Sequence, residues 1–287
     1  MNTQTGLQKV LHFFLAKIIV GIIVIAGSVF LVEWLGNLLP SKTALAENSK
    51  NIFIAISDAA IAVISYVFLF RWYDKRRIEE LSLSAFNKYA GIGFATGFLL
   101  QSIFITIIFI GGAYAIIQSN SVSVLIAPFA DSLRAGFVAE ILIVGVFFRI
   151  MEEKLGTVIS LAIMIILFAI LHINSKGASV LSVCSTAMQA GFMLPAAYVC
   201  RRNLWLPVFI HFGWDFTEPG IYGGTNPGIS IAQSFFTSRI EGNPILTGGE
   251  TGPQNSIQGL LFCIAAGIIL LVFAKQKNNF ILPGWRK

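Results

Sequence analysis

The sequence predicts an all-α membrane protein, a polytopic bundle of about eight transmembrane helices. Hydrophobic residues make up 56% of the 287 residues and charged residues only 12%, and the mean hydropathy is +0.79. A soluble domain does not have such a composition. Because a bilayer core about 30 Å thick needs roughly 20 apolar residues per helix, eight crossings would use about 160 residues. Only short connections would remain.

Apolar stretches between charged or turn-forming residues give the helices in order. The first stretch is expected to be a retained anchor, because it lacks the cleavage site of a signal peptide. The seventh is short for a free-standing span, so it needs flanking residues or shielding by protein. The eight stretches run at about His12–Leu39, Ile52–Tyr73, Tyr89–Ile117, Leu133–Met151, Thr157–Ile173, Ala178–Cys200, Leu204–Phe216 and Ile257–Ala274.

Lysine and arginine alternate between crowded and sparse loops, as the positive-inside rule requires of an even number of spans. The crowded side would hold fourteen basic residues, from Lys9 through Arg71–Arg77 to Lys287, and the sparse side five. We therefore expect a multi-pass protein of the cell inner (plasma) membrane with both termini in the cytoplasm. The five on the sparse side are Lys42, Lys50, Arg134, Lys176 and Arg239.

The chain is expected to divide into N-terminal helices without recognisable motifs (1–120) and a motif-bearing transmembrane domain (121–287). The long connection from Glu218 to Ser256 is rich in glycine and proline. Long loops are often lids or binding elements, although a solvated connector explains the composition equally well. Gly93 and Gly97 are four residues apart, which favours close helix packing.

Composition also bears on partners and on redox chemistry. The net charge of +6 comes from basic residues scattered at segment ends, so no nucleic-acid partner is expected. Cys184, Cys200 and Cys263 form no C-x-x-C pair, and neither a disulfide nor a thiolate metal site is expected. Membrane lipid is the expected surrounding.

Four ionisable residues lie within predicted spans, where an ionisable group is costly and marks function by default. They are Glu140, His172, His211 and Asp215. The predicted topology allows all four to lie in the outer half of the membrane, in one buried cluster. His211 and Asp215 are four apart, on one helical face, so the carboxylate can orient the imidazole.

Three stretches around these residues resemble the motifs of the CAAX prenyl protease 2 and lysostaphin resistance protein A-like family of intramembrane proteases. Residues 139–149 are similar to its first motif, E-E-x-x-x-R-G, Phe168–His172 to its F-x-x-x-H, and His211–Asp215 to its H-x-x-x-N or H-x-x-x-D. The resemblance covers about Phe137 to Gly223.

The resemblance implies an intramembrane endopeptidase without a cofactor. A glutamate would activate water, and histidines with an Asn or Asp would stabilise the oxyanion while a peptide bond near the membrane is cleaved. A carboxylate in a low-dielectric site suits a general base, and imidazole donors lower the barrier without a metal. Glu140 would be the base, with His172, His211 and Asp215 as its partners. The substrate would be a membrane-associated peptide or protein.

The first motif departs from the family pattern at two positions. Ala139 replaces the glutamate that the family uses as base, and Val144 replaces the motif arginine. Glu152 and Glu153 do not restore the motif by a change of register, and they are expected to form an interfacial, solvated pair.

The departures leave a second hypothesis beside the endopeptidase. In it, the chain is a proteolytically inactive relative that acts as a membrane scaffold or regulator and binds segments of other membrane proteins. A zinc-dependent peptidase is a further alternative, although H-E-x-x-H is absent. A proton-relaying transporter is the last, although no repeat symmetry supports it.

Overall fold

The computed structural model describes residues 13–40, 43–223 and 234–286. It is all-α apart from one small strand pair, as the sequence predicts. Three of the eight long helices contain a π-helical segment, within 126–155, 180–201 and 205–222. The long helices are α1 (Phe14–Asn37), α2 (Ala44–Trp72), α3 (Phe86–Ile110), α4 (Ile126–Glu140, Ile141–Phe148 and Arg149–Leu155 in succession), α5 (Thr157–His172), α6 (Val180–Arg201), α7 (Trp205–Asp215 continued by Phe216–Tyr222) and α8 (Ile257–Gln276).

Five helices in the described ranges are long and apolar enough to cross a membrane: α1, most of α2, α3, α6 and α8. Helix α5 is apolar but has only 16 residues. Helices α4 and α7 carry Glu140, His211 and Asp215, and both continue through a π-helical segment. The main buried cluster includes residues of α1, α2 and of α4 to α8, so one core joins the two parts of the chain.

Four helix boundaries differ from the predicted ones by six to eight residues. Helix α2 begins at Ala44 and not at Ile52, and α7 continues to Tyr222 and not only to Phe216.

Helix α3 was expected to reach Ile117, but it ends at Ile110, because Gly111 caps it and Gly112 turns the chain with a φ of +73°. The following residues form strand β1 (Tyr114–Ser119), which pairs antiparallel with β2 (Phe236–Ile240). Tyr114 pairs with Ile240 and Ser119 with Phe236, about 120 residues further along the chain, so no local pattern indicated this pairing.

Helix α4 begins at Ile126, seven residues before the expected Leu133. Arg134 bonds Glu33 of α1 at 2.7 Å and lies 3.3 Å from Asp131. These ion pairs allow the charged residues Asp131 and Arg134 to lie within the helix. Glu140 is therefore in the middle of α4, about 21 Å along it at 1.5 Å per residue. It had been expected about seven residues into the helix, in the outer half of the membrane.

The predicted alternation of basic loops is matched in three dimensions. The loops after α2, α4 and α6 and the segment after α8 meet at one end of the bundle, which we call the basic end. Contacts there join Arg149 to Glu80 at 3.9 Å and Thr157 N to the Ile281 carbonyl at 3.0 Å. The opposite end carries β1 and β2, and we call it the strand end.

Glu152 does not belong to a solvated pair as expected. It is fully buried at the basic end, where it accepts bonds from Arg202 at 2.5 and 3.0 Å and from the Thr157 hydroxyl at 2.5 Å. Glu153 is half exposed and pairs with Arg149. A buried carboxylate with a bidentate arginine is a strong, oriented pair, and its partners are distant in sequence.

Close packing at Gly93 and Gly97 is confirmed. Both glycines are buried on α3 against α7. A Cβ added at Gly93 would lie 2.8 Å from the Leu206 carbonyl oxygen, and one at Gly97 would lie 2.6 Å from Trp214 N. Gly136 of α4 meets α7 equally closely. Helix α7 is thus held between α3 and α4, which fixes the position of its ionisable residues.

Candidate functional site

His211 lies between two carboxylates. Its Nδ1 is 2.8 Å from Glu140 Oε1 of α4, and its Nε2 is 3.2 Å from Asp215 Oδ2, one turn further along α7. Glu140 is 2% exposed. The close packing of α4 on α7 at Gly136 brings the two helices near enough for this contact.

His172 faces the same cavity as His211 and Asp215. The cavity has a volume of about 280 Å³ and lies between α4, α5, α6, α7 and the segment before α8. His172 Nδ1 is 2.9 Å from the Phe168 carbonyl oxygen, so this nitrogen carries the proton. Its Nε2 makes no bond to the part of the chain that the structure describes. The last turn of α5 therefore presents an imidazole nitrogen to a ligand in the cavity.

Glu140 lies behind His211 and does not line the cavity. Its Oε2 is buried without a hydrogen-bond partner among the described residues. On the same helix Ala135 lines the cavity, and Ala139 follows one turn later on that face. The position that the resemblance implies for the base thus lies on the face of α4 that Ala135 shares, next to the cavity lining and not in it, and this chain has a methyl group there. Val144 is fully buried in the core.

The wall opposite α4 consists of amide side chains. Gln189 of α6 and Gln254 and Asn255 of the segment before α8 line it. Thr186 Oγ1 donates to Asn255 Oδ1 at 3.1 Å. Residues 251–256 are buried, so this part of the long connection is packed into the bundle and is not a solvated connector. Residues 224–233 of that connection lie outside the described ranges.

Glu218 and Trp214 hold the amide wall in place. Gln254 N donates to Glu218 Oε2 at 2.9 Å, and Trp214 Nε1 donates to Gln254 Oε1 at 2.8 Å. Glu218 is fully buried on α7 and was not predicted, because the apolar stretch was ended at Phe216. Its position three residues after Asp215, about one helical turn further on, was the sequence signal that could have identified it. Asp58 of α2, also fully buried, was missed within an apolar stretch too.

The arrangement can hold and transfer a proton. An imidazole between two carboxylates can pass a proton from one to the other. Of the four candidate residues, His172, His211 and Asp215 line the cavity and Glu140 does not. This combination suits general acid–base chemistry on a ligand in the cavity. Among the described residues, no three His, Cys, Asp or Glu side chains are arranged as a metal-ligand set.

Comparison with known proteins gives one family. Residues 121–217 match the model of the type II CAAX prenyl endopeptidase Rce1-like family. This range contains Glu140, His172, His211 and Asp215, and it ends before Glu218. Neither a search of curated proteins nor a search of solved structures found a match. Over residues 121–217, about a third of the chain, the protein is thus similar to the type II CAAX prenyl endopeptidase Rce1-like family, in agreement with the family that its motifs resemble.

Proposed function

We propose that the chain is a membrane endopeptidase that cleaves a peptide bond near the membrane, with its catalytic centre at His172, His211, Asp215 and Glu140. The observation that carries the proposal is the position of His211, which is bonded to both carboxylates beside the cavity that His172 also lines. The family match covers all four residues.

The geometry favours different roles for the two carboxylates. The sequence pattern made Glu140 the base, but Glu140 lies behind His211. We assign to Asp215 the contact with the attacking water and to Glu140 the orientation and charge balance of His211. Asp215 takes a proton as the water oxygen bonds to the carbonyl carbon. That proton goes to the amide nitrogen when the C–N bond breaks. His172 stabilises the oxyanion as an imidazolium, whose Nδ1–H donates to the Phe168 carbonyl and whose Nε2–H donates to the oxyanion.

The cavity suits a peptide that enters from the membrane. Phe168, Met193, Leu194 and Ile210 give it apolar walls, and the amides of Gln189 and Asn255 offer partners for a peptide backbone. We propose a membrane-associated peptide or protein as substrate, and membrane lipid as the surrounding of the helices. Within this proposal the catalytic domain is 121–287, and 1–120 supports it.

Cleavage of a library of membrane-proximal peptides by the purified protein in detergent tests the proposal. Asp215→Asn, His211→Ala and His172→Ala are each expected to reduce kcat/KM by about 10²–10⁴, the range for lost general acid–base groups. Asp131→Asn is the matched control, since it removes a carboxylate of α4 outside the cavity and should cleave like wild type. A wild type that cleaves no peptide, or variants that all retain activity, would overturn the proposal.

The second candidate is an inactive relative that binds membrane segments in the same cavity. Ala139 favours it, because the position that the resemblance implies for the base lies next to the cavity lining and carries no carboxylate. Peptide cleavage by Ala139→Glu, alone and with Val144→Arg, separates the two candidates. Cleavage only in a back-substituted form would assign the natural chain to binding or regulation. Cleavage by wild type that Asp215→Asn abolishes would assign it to catalysis.

A further inference from the structure

A second recess lies at the basic end and shares no lining residue with the cavity described above. It is a groove of about 1220 Å³ between the last three turns of α2, the loop that follows and the start of α7. Its apolar wall includes Ile64 and Phe68, which are 58% and 62% exposed on a helix apolar enough to span a membrane. The groove is therefore open to lipid.

Four cations line the same groove. They are Arg71, Lys75, Arg76 and Arg77, and Glu79 is the one acidic residue in its lining. Arg76 is used internally, since it bonds Glu80 at 2.5 Å and the Tyr66 hydroxyl at 3.0 Å. Arg71, Lys75 and Arg77 are exposed and form no ion pair within the described chain. Three cations thus remain to receive an anionic ligand.

We propose that this groove binds an anionic phospholipid, with the phosphate at Arg71, Lys75 and Arg77 and an acyl chain along Ile64 and Phe68. An apolar wall on a membrane-spanning helix fits a hydrocarbon chain. The cations lie in the last turn of that helix and directly after it, at the level where lipid headgroups lie. A soluble anion would contact only the cations, and a neutral lipid would be held only by the apolar wall. An anionic phospholipid contacts both.

The backbone at Lys75 supports a built site. Lys75 has a φ of +53°, a left-handed conformation that is uncommon for a residue other than glycine. It turns the chain after α2 so that the cations on both sides line one groove. The Arg76–Glu80 pair beneath them is fixed to Tyr66 and through it to Arg149 at 3.0 Å, which gives the groove a rigid floor.

Native mass spectrometry of the delipidated full chain in detergent tests the site, with dioleoyl phosphatidylglycerol and dioleoyl phosphatidylcholine as probes. Phosphatidylglycerol should bind at least tenfold more tightly. Replacing Arg71, Lys75 and Arg77 together by Gln should weaken it about 10- to 100-fold, since each cation near an anionic surface changes affinity about fivefold. The matched control replaces Lys275, Lys277 and Arg286 by Gln, three exposed cations outside the groove, and should bind like wild type.

A second variant tests the acyl-chain wall. Ile64→Trp fills the groove and keeps every charge, so phosphatidylglycerol binding should fall at least fivefold. Equal loss in both triple variants, equal binding of the two lipids, or full binding by Ile64→Trp would each overturn the proposal. Glycerol phosphate that competes as well as the lipid would also overturn it, in favour of a soluble anion. An unchanged Tm of the triple variant shows that it is folded.

Discussion

His211 differs from His172 in that carboxylates engage both of its ring nitrogens. Glu140 and Asp215 approach it from two helices at 2.8 and 3.2 Å. With one proton on each nitrogen the ring is a cation between two anions. With one carboxylate neutralised, the remaining contact can still hold a single tautomer. The two carboxylates therefore act through one imidazole and not as independent groups.

A double-mutant cycle measures this dependence. Glu140→Gln and Asp215→Asn should each lower kcat/KM by about 10²–10⁴. The double variant should have nearly the same kcat/KM as the less active of the two single variants, because the effects of residues that act as a unit are strongly non-additive. The measurement is peptide cleavage by all four proteins at one pH. Additive losses would mean that Glu140 contacts the substrate independently of His211.

Tyr66 is the residue that joins the charges at the basic end. Its buried hydroxyl donates to Glu80 at 2.5 Å and accepts from Arg76 and Arg149 at 3.0 Å. Burial by itself would raise the pKa of Glu80, but the hydrogen bond and charge of Arg76 outweigh burial and the pKa is lowered. Glu80 therefore stays ionised, and its stabilising pair would be lost only as acidic pH protonates it.

Tyr66→Phe should destabilise the protein by about 1–3 kcal/mol, because buried charged groups lose a partner. The measurement is the Tm of the detergent-solubilised protein at neutral pH, which should fall by several degrees. Tyr89→Phe is the control, since the Tyr89 hydroxyl makes no hydrogen bond within the described ranges. A Tm equal to that of wild type would show that water replaces the hydroxyl.

At the scale of single elements, sequence predicts best where a polar group interrupts an apolar stretch. Glu140, His211 and Asp215 were found in this way, and the structure brings them together. Glu218 and Asp58 were missed. Glu218 lies in a π-helical segment that continues α7 through Pro219, where a proline would ordinarily end the helix. Gln254 lies in a loop, and the path of that loop brings it to the cavity. A loop has no hydrophobic periodicity from which this position could be predicted.

Helix α7 depends on glycine for its position. A Cβ at Gly97 would meet the backbone of α7 at Trp214 and Ile210, and backbone cannot move aside as a flexible side chain can. Gly97→Ala should therefore separate α3 from α7, lower the Tm and reduce cleavage by displacing His211.

Gly91→Ala is the matched control on the same helix, because nothing lies within 4 Å of a Cβ there. It should leave cleavage unchanged and raise stability slightly, since alanine favours a helix over glycine by up to about 1 kcal/mol. Equal effects at both positions would show that helix propensity, and not packing, determines the response.

For the whole molecule, the charge pattern along the chain was a reliable guide to which loops share an end. This prediction rests on the positive-inside rule, which applies to the whole chain because loops rich in lysine and arginine alternate with loops that have few. The structure gathers those loops through pairs that no short window could show. Arg202 bonds both Glu152 and the carbonyl of Asn279, and Asn279 Nδ2 donates to the Cys200 carbonyl at 3.0 Å.

The orientation of the bundle is the last prediction. If the basic end is cytoplasmic, a cysteine at exposed Lys75 should react with a membrane-impermeant maleimide only after the cells are opened. A cysteine at exposed Ser123, beside β1 at the strand end, should react in intact cells. The background is a variant with Cys184, Cys200 and Cys263 replaced by alanine, which must retain the Tm of wild type. Labelling of Lys75→Cys in intact cells would reverse the orientation and place the anionic-lipid groove in the outer leaflet.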